Sequence, residues 1–580
     1  MTLEQRITEH LSCLYGIQPA RYLAPALVQM VEQTRHHLPP RPYRPLTNGD
    51  VMLITYADQV LDPEQPPLQV LGSFLQRHAA SDVRAVHILP FYPWTSDDGF
   101  AVVDYRAVDP RYGSWQDIER LGSRFDLMLD LVCNHTSSQC PWFQRFLQDD
   151  PQYRDFYITV EGSPDLSRVI RPRTTPLLNE FPGVAGPRKV WTTFSADQVD
   201  LNYRNPAVLR TMLEILLEYV RHGARFIRLD AVAFLWKEIG TTCLHLPQTH
   251  RIVQLMRTIL DHVTPDVRLV TETNVPHAEN VSYFGDGTNE AHLVYNFALP
   301  PLVLHSFLTG QARELTRWAA QLRTPSPHTA FLNYLASHDG IGLNPVRGIL
   351  QDHHIEALVR HTRAAGGFVS EKALPDGSRA PYELNINYLD ALSPPEAAEP
   401  PGIVARKFAT AHAIALSLPG MPALYFHSLF GSRGDRAAAL ATGIYRRINR
   451  EKLGLSRLET ELADPSSLRA QVHTALRRWL ALRRSHPAFA PAAPQIVHES
   501  DPRLFVIERQ DPHSGQSVLC IHNLSGDAAV YAVPGPVRGC ELTWHDATTG
   551  SSIPNREVNG TLRLEPWQTW WGLPPQEPSL

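Results

Sequence analysis

Four short polar clusters carry the chemistry open to this sequence. Arg228 and Asp230, in FIRLD (226–230), stand two apart and share one face of an extended strand. An arginine so placed holds an aspartate ionised, the state a carboxylate nucleophile requires. Glu272, in TETN (271–274), stands among apolar and hydroxyl-bearing residues, and partial desolvation raises such a carboxyl and suits it to general-acid work. Asp339 follows His338 in SHD (337–339), and DLVCNH (130–135) is the fourth cluster. Taken alone, Arg228 and Asp230 read more readily as a structural ion pair, and Glu272 as a loop-edge glutamate. Four polar clusters that each close an apolar run argue against independent packing features. Two carboxylates flanking a pocket, with a third that binds sugar hydroxyls, form the constellation of glycoside cleavage. A separation of ~5–5.5 Å between Asp230 and Glu272 corresponds to retention through a covalent glycosyl-enzyme, and a wider gap to inversion.

Elements must hold these groups together. Eight apolar runs read as strands, at 51–57, 83–91, 126–135, 225–232, 268–274, 292–299, 331–338 and 421–426. Between most of them lie helical stretches at 68–79, 115–122, 206–222, 248–263, 301–322 and 403–418, where apolar residues recur at three and four. The alternation predicts an α/β fold, a (β/α)8 TIM barrel with its site at the C-terminal strand ends. Two gaps, 136–197 after strand three and 340–400 after strand seven, exceed ordinary βα loops and are expected to build the site. The second carries a polar, Pro/Gly-containing piece, 374–387, read as a mobile loop over the pocket. After a helical stretch ending near Arg484 and a Pro/Ala-rich segment, period-two runs at 504–508, 517–522, 541–544 and 561–564 predict a small all-β domain. The expected organisation is a barrel from 1–135, 198–339 and 401–486, inserted domains at 136–197 and 340–400, and a C-terminal β domain at 487–580. Trp567, Trp570 and Trp571 suggest a carbohydrate-binding module, but clustered tryptophans more often pack a core or interface.

Composition excludes several classes. Of 580 residues, 43% are hydrophobic and 19% charged, which places the chain among globular proteins. Lys+Arg 54 against Asp+Glu 59 gives 54 − 59 = −5 without long runs of either sign, so no nucleic-acid footprint is present. Six cysteines without a CxxC pair read as reduced thiols, and residues 1–16 lack an apolar signal core, so a cytoplasmic location is expected. The most apolar stretch, 409–426, is interrupted by Pro419, Gly420 and Pro422, and no membrane span is expected. There is no GxGxxG after a strand and no phosphate-loop motif, and His36–His37 and His353–His354 lack metal-ligand spacing. No cofactor and no metal are expected, and the partners are small molecules acting on a monomer or homodimer.

DLVCNH, FIRLD, Glu272 in TETN and SHD resemble, in order and spacing, the four signature regions of the α-amylase superfamily of retaining glycosidases. LITYAD (53–58), the stretch from FYPW (91–94) to VDYRAVDPRYGSW (103–115), FALPPLVLH (297–305) and RRINR (446–450) resemble its sucrose phosphorylase branch. Within that branch, the longer N-terminal segment, PWTSDDGF (93–100) and TETNVPH (271–277) are more similar to glucosylglycerate phosphorylases. The resemblance implies reversible phosphorolysis of 2-O-α-D-glucosyl-D-glycerate through a covalent glucosyl-aspartate, with sucrose phosphorylase or an α-glucosidase-type hydrolase as the alternative. By matching positions it implies Asp230 as nucleophile, Glu272 as acid/base and Asp339 as transition-state stabiliser. It also implies Asp58, Tyr105, Arg228, His338 and Arg446 as holders of the glucosyl unit, Tyr105 standing where many members carry a histidine. Phe194 and Gln198 match residues that contact the sugar and keep water out, and Arg173 and Tyr382 match the phosphate-binding pair. An anionic aglycone calls for further donors, for which Arg173, Arg379, Lys237 and Arg433 are the candidates. Asn134 matches a calcium-binding position of many amylases, but the branch works without metal. A reading from another class, a silent barrel that only binds sugar, would be expected to lack Asp230 or Glu272; both are present.

Overall fold

Eight short strands, each inside or within a residue of one of the apolar runs, close into a barrel in the computed structural model, which describes residues 1–374, 376–533, 545–548 and 561–573. They are β1 (Met52–Thr55), β2 (Ala85–Ile88), β3 (Asp126–Val132), β4 (Ala224–Asp230), β5 (Arg268–Thr271), β6 (Leu293–Tyr295), β7 (Ala330–Asn333) and β8 (Met421–Tyr425). Each pairs in parallel with the next, and β8 returns to β1 with Met52 opposite Ala423. Nearly every strand residue is buried, which is why these runs are continuous in apolar side chains rather than alternating. The register sets Asp130 of β3 opposite Arg228 of β4, one layer below the end of the barrel that Asp230 reaches.

Around the barrel, helices Pro206–Arg221, Pro247–Val263 and Pro401–Ser417 each begin with proline, whose missing N–H costs nothing in the first turn. The stretch 301–322, expected as one helix, is two, Leu299–Thr309 and Arg313–Gln321. Gly310 divides them in the left-handed conformation (φ +64°), its N–H donated to the Ser306 carbonyl. Apolar spacing runs through this break unmarked, so periodicity alone reads a single helix.

Two helices, α1 (Leu3–Tyr15) and α2 (Ile17–His37), precede the barrel and were not anticipated. The signal was present: Thr2 and Gln5 cap each other reciprocally at the start of α1, and Ile7, Leu11 and Leu14 follow at helical spacing. Gly16, at φ +88°, turns the chain between the two helices, which pack against Pro247–Val263.

The long connection after β3 contains helix Pro141–Leu147 and hairpin Leu178–Phe181/Arg188–Trp191. That after β7 contains helix Asp352–Ala364 and hairpin Phe368–Ala373/Arg379–Asn385. The piece 374–387 is thus not wholly a loop. Residues 379–385 are a paired strand whose inner end, Leu384 and Asn385, is buried, and the polar turn signature belongs to the connection before it.

The C-terminal strands form a sheet in the order 495–498, 504–510, 517–523, 569–573, 545–546, beside a pair at 529–532 and 561–564. The expected run 541–544 lies outside the described residues. Fully buried Arg509 binds this sheet to the barrel by donating to the carbonyls of Ser417, Ala490 and Ala493 at 2.8–2.9 Å. Trp571 packs on Trp479 (4.8 Å between centroids) and Phe489 (4.5 Å), and the Lys407 ammonium lies 4.2 Å over Trp567. Trp567 and Trp571 are interface packing, and Trp570 is buried in the core of the C-terminal strands. Among the described residues no helix is long and apolar enough to cross a membrane. Trp571→Ala is expected to cost roughly 3–5 kcal/mol, read as a fall in the urea midpoint. A midpoint equal to the parent's would show that this sheet does not buttress the barrel.

Candidate active site

The carboxylates stand where strands stop. β4 ends on Asp230, and the next residue, Ala231, adopts a left-handed conformation (φ +51°) uncommon for a residue with a Cβ. That turn aims the Ala231 N–H at Glu272 Oε2, 3.2 Å away, and Glu272 itself follows the last residue of β5. Beneath them lies the guanidinium of Arg228, 2% exposed. Its Nη1 is 3.0 Å from Asp230 Oδ1 and also pairs with Asp130, while Nη2 lies 3.9 Å from Glu272 Oε2. Asp130 is fixed from its other side by His87 of β2 at 2.6 Å.

Burial pushes the Asp230 and Glu272 carboxyls up, and Arg228 opposes the rise in both. Arg228 lies 3.0 Å from Asp230 and 3.9 Å from Glu272, so its charge supports the ionised form of Asp230 at closer range. Burial also acts to raise Asp339, but Arg446 (2.7 Å) and Arg450 (3.2 Å) outweigh it and hold this carboxyl below the usual carboxylate range. Burial keeps His338 neutral, with its ring stacked on Phe100 at 5.0 Å. Arg446 forks onto Glu383 at 3.0–3.2 Å, and Glu383 in turn accepts the Gly340 N–H.

These groups line a cavity whose walls include Phe100, Phe194, Phe234 and Phe297. Arg173 lies across it, its guanidinium 5.4 Å from the Tyr382 ring and 5.8 Å from Phe194. Among the described residues Arg173 pairs with no carboxylate, and its one side-chain hydrogen bond goes to the Pro172 carbonyl. Burial pushes the Tyr382 phenol up to about 12, so it remains a neutral donor. Gln198 Nε2 lies 3.2 Å from His135 and 3.4 Å from Asp97, with its Oε1 held by Ser195.

Of the residues expected at the site, Asp230, Glu272, Asp339, Arg173, Phe194, Gln198, His338, Tyr382 and Arg446 line the cavity, and Arg228 supports it from below. Tyr105 is a correction: it is buried, and its hydroxyl donates to the Val132 and His135 carbonyls, so it braces the end of β3 and does not face the pocket. Asp58 is not among the residues that line the cavity; it lies 2.5 Å from Lys452, whose ammonium lies 3.8 Å over Tyr56. Arg379 points into solvent near Glu371, because the strand that carries it begins at the outer end of its hairpin. Arg433 is bound to Asp390 at 2.6 Å. Lys237 is buried on Asp200 and Asn134, both at 2.6 Å, so an ammonium occupies the place beside Asn134. Three of the four proposed anion-binding cations are thus committed elsewhere. The sequence reading missed Arg450, which lies in the quoted RRINR but is reached only through the fold; it binds Asp97, Asp98, Asp339 and the His338 carbonyl. Among the described residues no cluster of His, Cys, Asp or Glu is arranged to hold a metal.

Residues 80–341 match the family model described as the alpha amylase catalytic domain. The chain is 51% identical to a glucosylglycerate phosphorylase of Allomeiothermus silvanus over 90% of its own length and 93% of that protein's. It is 30% identical to a sucrose phosphorylase of Agrobacterium vitis, over 76% of this chain and 89% of that one. The crystal structure of sucrose 6F-phosphate phosphorylase from Thermoanaerobacter thermosaccharolyticum superposes with a TM-score of 0.72 at 24% identity, covering 83% of this chain and 95% of the other. Barrel, carboxylate cluster and relatives agree, and the chain belongs to the α-amylase superfamily, in the branch that holds the glucosylglycerate and sucrose phosphorylases.

Proposed function

We propose that the protein is a retaining glycoside phosphorylase that reversibly converts 2-O-α-D-glucosyl-D-glycerate and phosphate into α-D-glucose 1-phosphate and D-glycerate. The observation that carries this reading is a cavity where Asp230 and Glu272 stand over Arg228 and face Arg173, a cation without a carboxylate partner among the described residues. The 51% identical relative is a glucosylglycerate phosphorylase, which supports glycerate over fructose as the aglycone.

In the first step an Asp230 oxygen attacks C1 while the Glu272 proton passes to the glycosidic oxygen; the C1–O bond breaks and D-glycerate leaves. In the second, a phosphate oxygen attacks C1, the bond to Asp230 breaks, and the phosphate proton returns to Glu272. Two inversions restore the α configuration. Asp339, held ionised by Arg446 and Arg450, faces the sugar ring where positive charge develops. Arg173 and Tyr382 receive phosphate, and the phenylalanine walls favour it over water as second nucleophile. We place the activity in the cytoplasm, in a monomer or homodimer; five described cysteines are free and four of these buried.

With α-glucose 1-phosphate as donor, D-glycerate is expected to release phosphate, whereas fructose, glycerol and water release little. Release with fructose instead makes the protein a sucrose phosphorylase, and glucose formed from glucosylglycerate at an undiminished rate without phosphate makes it a hydrolase. Glu272→Gln is expected to lower kcat/KM for glucosylglycerate by roughly 10²–10⁴-fold while sparing α-glucosyl fluoride, whose leaving group needs no proton. Because burial raises Glu272 and the acid form is required, kcat/KM for glucosylglycerate falls as pH rises through a value above the ordinary glutamate range. The same limb should be missing with the fluoride; its presence there would deny Glu272 the acid role.

A further inference from the structure

Phosphate and glycerate are both anions, and Arg173 with Tyr382 accounts for one of them. Two further cations, neither of which lines the cavity itself, are linked to its wall through Asn274 and the chain next to Tyr382. Lys372, on the strand Phe368–Ala373, lies opposite Ala380, and the β-bulge that leaves Tyr382 unpaired follows shortly after on Ala380's strand. Its Nζ donates to Asn344 Oδ1 at 2.8 Å, and Asn344 Nδ2 donates to the Asn274 carbonyl at 3.2 Å. Asn274 lines the cavity two residues after Glu272, and its Oδ1 is buried without a hydrogen-bond partner. Its side chain fits because residue 342 is glycine: a Cβ there would lie 2.6 Å from Asn274 Oδ1. Arg347, on the connection that carries Asn344, donates through Nη2 to the Pro381 carbonyl at 3.3 Å, and its Nε is buried and unpartnered. Among the described residues neither Lys372 nor Arg347 forms an ion pair. Glu279 faces Lys372 and supports its charge without forming an ion pair, and it lies 3.1 Å from His245, which burial brings down to about 4.

We infer that Lys372 and Arg347 form an anion subsite on the aglycone side of the cavity, which binds the carboxylate of the glyceryl group and leaves Arg173 free for phosphate. The inference rests on the reading of the enzyme as a glucosylglycerate phosphorylase. Burial and the Arg347 charge bring Lys372 down to about 8 against the opposing pull of Glu279, a cost that a bound carboxylate relieves further. A carboxylate and a phosphate also differ in shape and charge, so separate sites let one anion arrive without displacing the contacts of the other.

The test is the rate of phosphate release from α-glucose 1-phosphate with D-glycerate and with glycerol, in which a hydroxymethyl group replaces the carboxylate. Lys372→Met and Arg347→Met are expected to raise the KM for D-glycerate roughly tenfold or more, the size of one charge-assisted hydrogen bond. The KM for glucose 1-phosphate and for glycerol should stay within about twofold, and Lys372→Arg should recover most of the loss. Arg173→Ala should do the reverse, weakening glucose 1-phosphate and sparing D-glycerate. From pH 7 to 9 the parent's preference for D-glycerate over glycerol falls as Lys372 loses its proton, and that of Lys372→Arg does not. If Lys372→Met fails to fold, Arg347→Met and this pH comparison decide the question. Unchanged D-glycerate KM values in both methionine variants, with the loss in Arg173→Ala instead, overturn the inference and leave the phosphorylase reading standing. A parent enzyme with no preference for D-glycerate removes both.

Discussion

The site depends on one buried guanidinium. Arg228 is reached by carboxylates from three consecutive strand ends, Asp130 from β3, Asp230 from β4 and Glu272 just past β5, and a histidine of β2 completes the support through Asp130. Without that cation, Asp130 and Asp230 would be buried charges without their partner, at a cost of roughly 3–5 kcal/mol. With it, two acids are held over a single cation. The same ion therefore fixes the geometry, and the parallel register is what delivers the strand ends to it.

Much of this was legible in the sequence because it is local. Continuous apolar runs reveal buried parallel strands, and an Arg and Asp two apart on such a run must share a face, so β4 and its pair could be read directly. What was not legible depends on where side chains turn after the backbone is placed. Tyr105 bears the right position in a motif, yet its hydroxyl finds two carbonyls at the end of β3, which are closer partners than a sugar. Arg446 and Arg450 sit four residues apart in one motif; only the fold shows that both reach Asp339. Arginines outnumber anion sites, and Arg379, Arg433 and Lys237 show how an acid elsewhere in the chain removes a cation from consideration. Helices α1 and α2 were missed for a different reason, since a capping box followed by three spaced apolar residues is weak beside eight barrel strands.

The second half of the reaction asks the cavity to admit a dianion and discourage water. An aromatic wall alone would exclude both, and a basic pocket alone would hydrate both. Arg173 set among Phe194 and Tyr382 combines the two demands, a cation whose hydration is partly replaced by ring faces. The connections after β3 and β7 supply these residues, whereas the strands supply the carboxylates, so bond cleavage and choice of nucleophile are built on separate parts of the fold.

The left-handed turn at Ala231 gives that separation a further meaning. Because the main chain leaving the nucleophile's own strand hands its N–H to Glu272, acid and nucleophile are gauged against each other by backbone, with no intervening side chain to drift. Substitution on the surrounding connections can therefore exchange one acceptor for another while the spacing of the two carboxylates is inherited intact. A lineage built on this turn is free to diversify in what it transfers glucose to, and is held to a single way of breaking the bond.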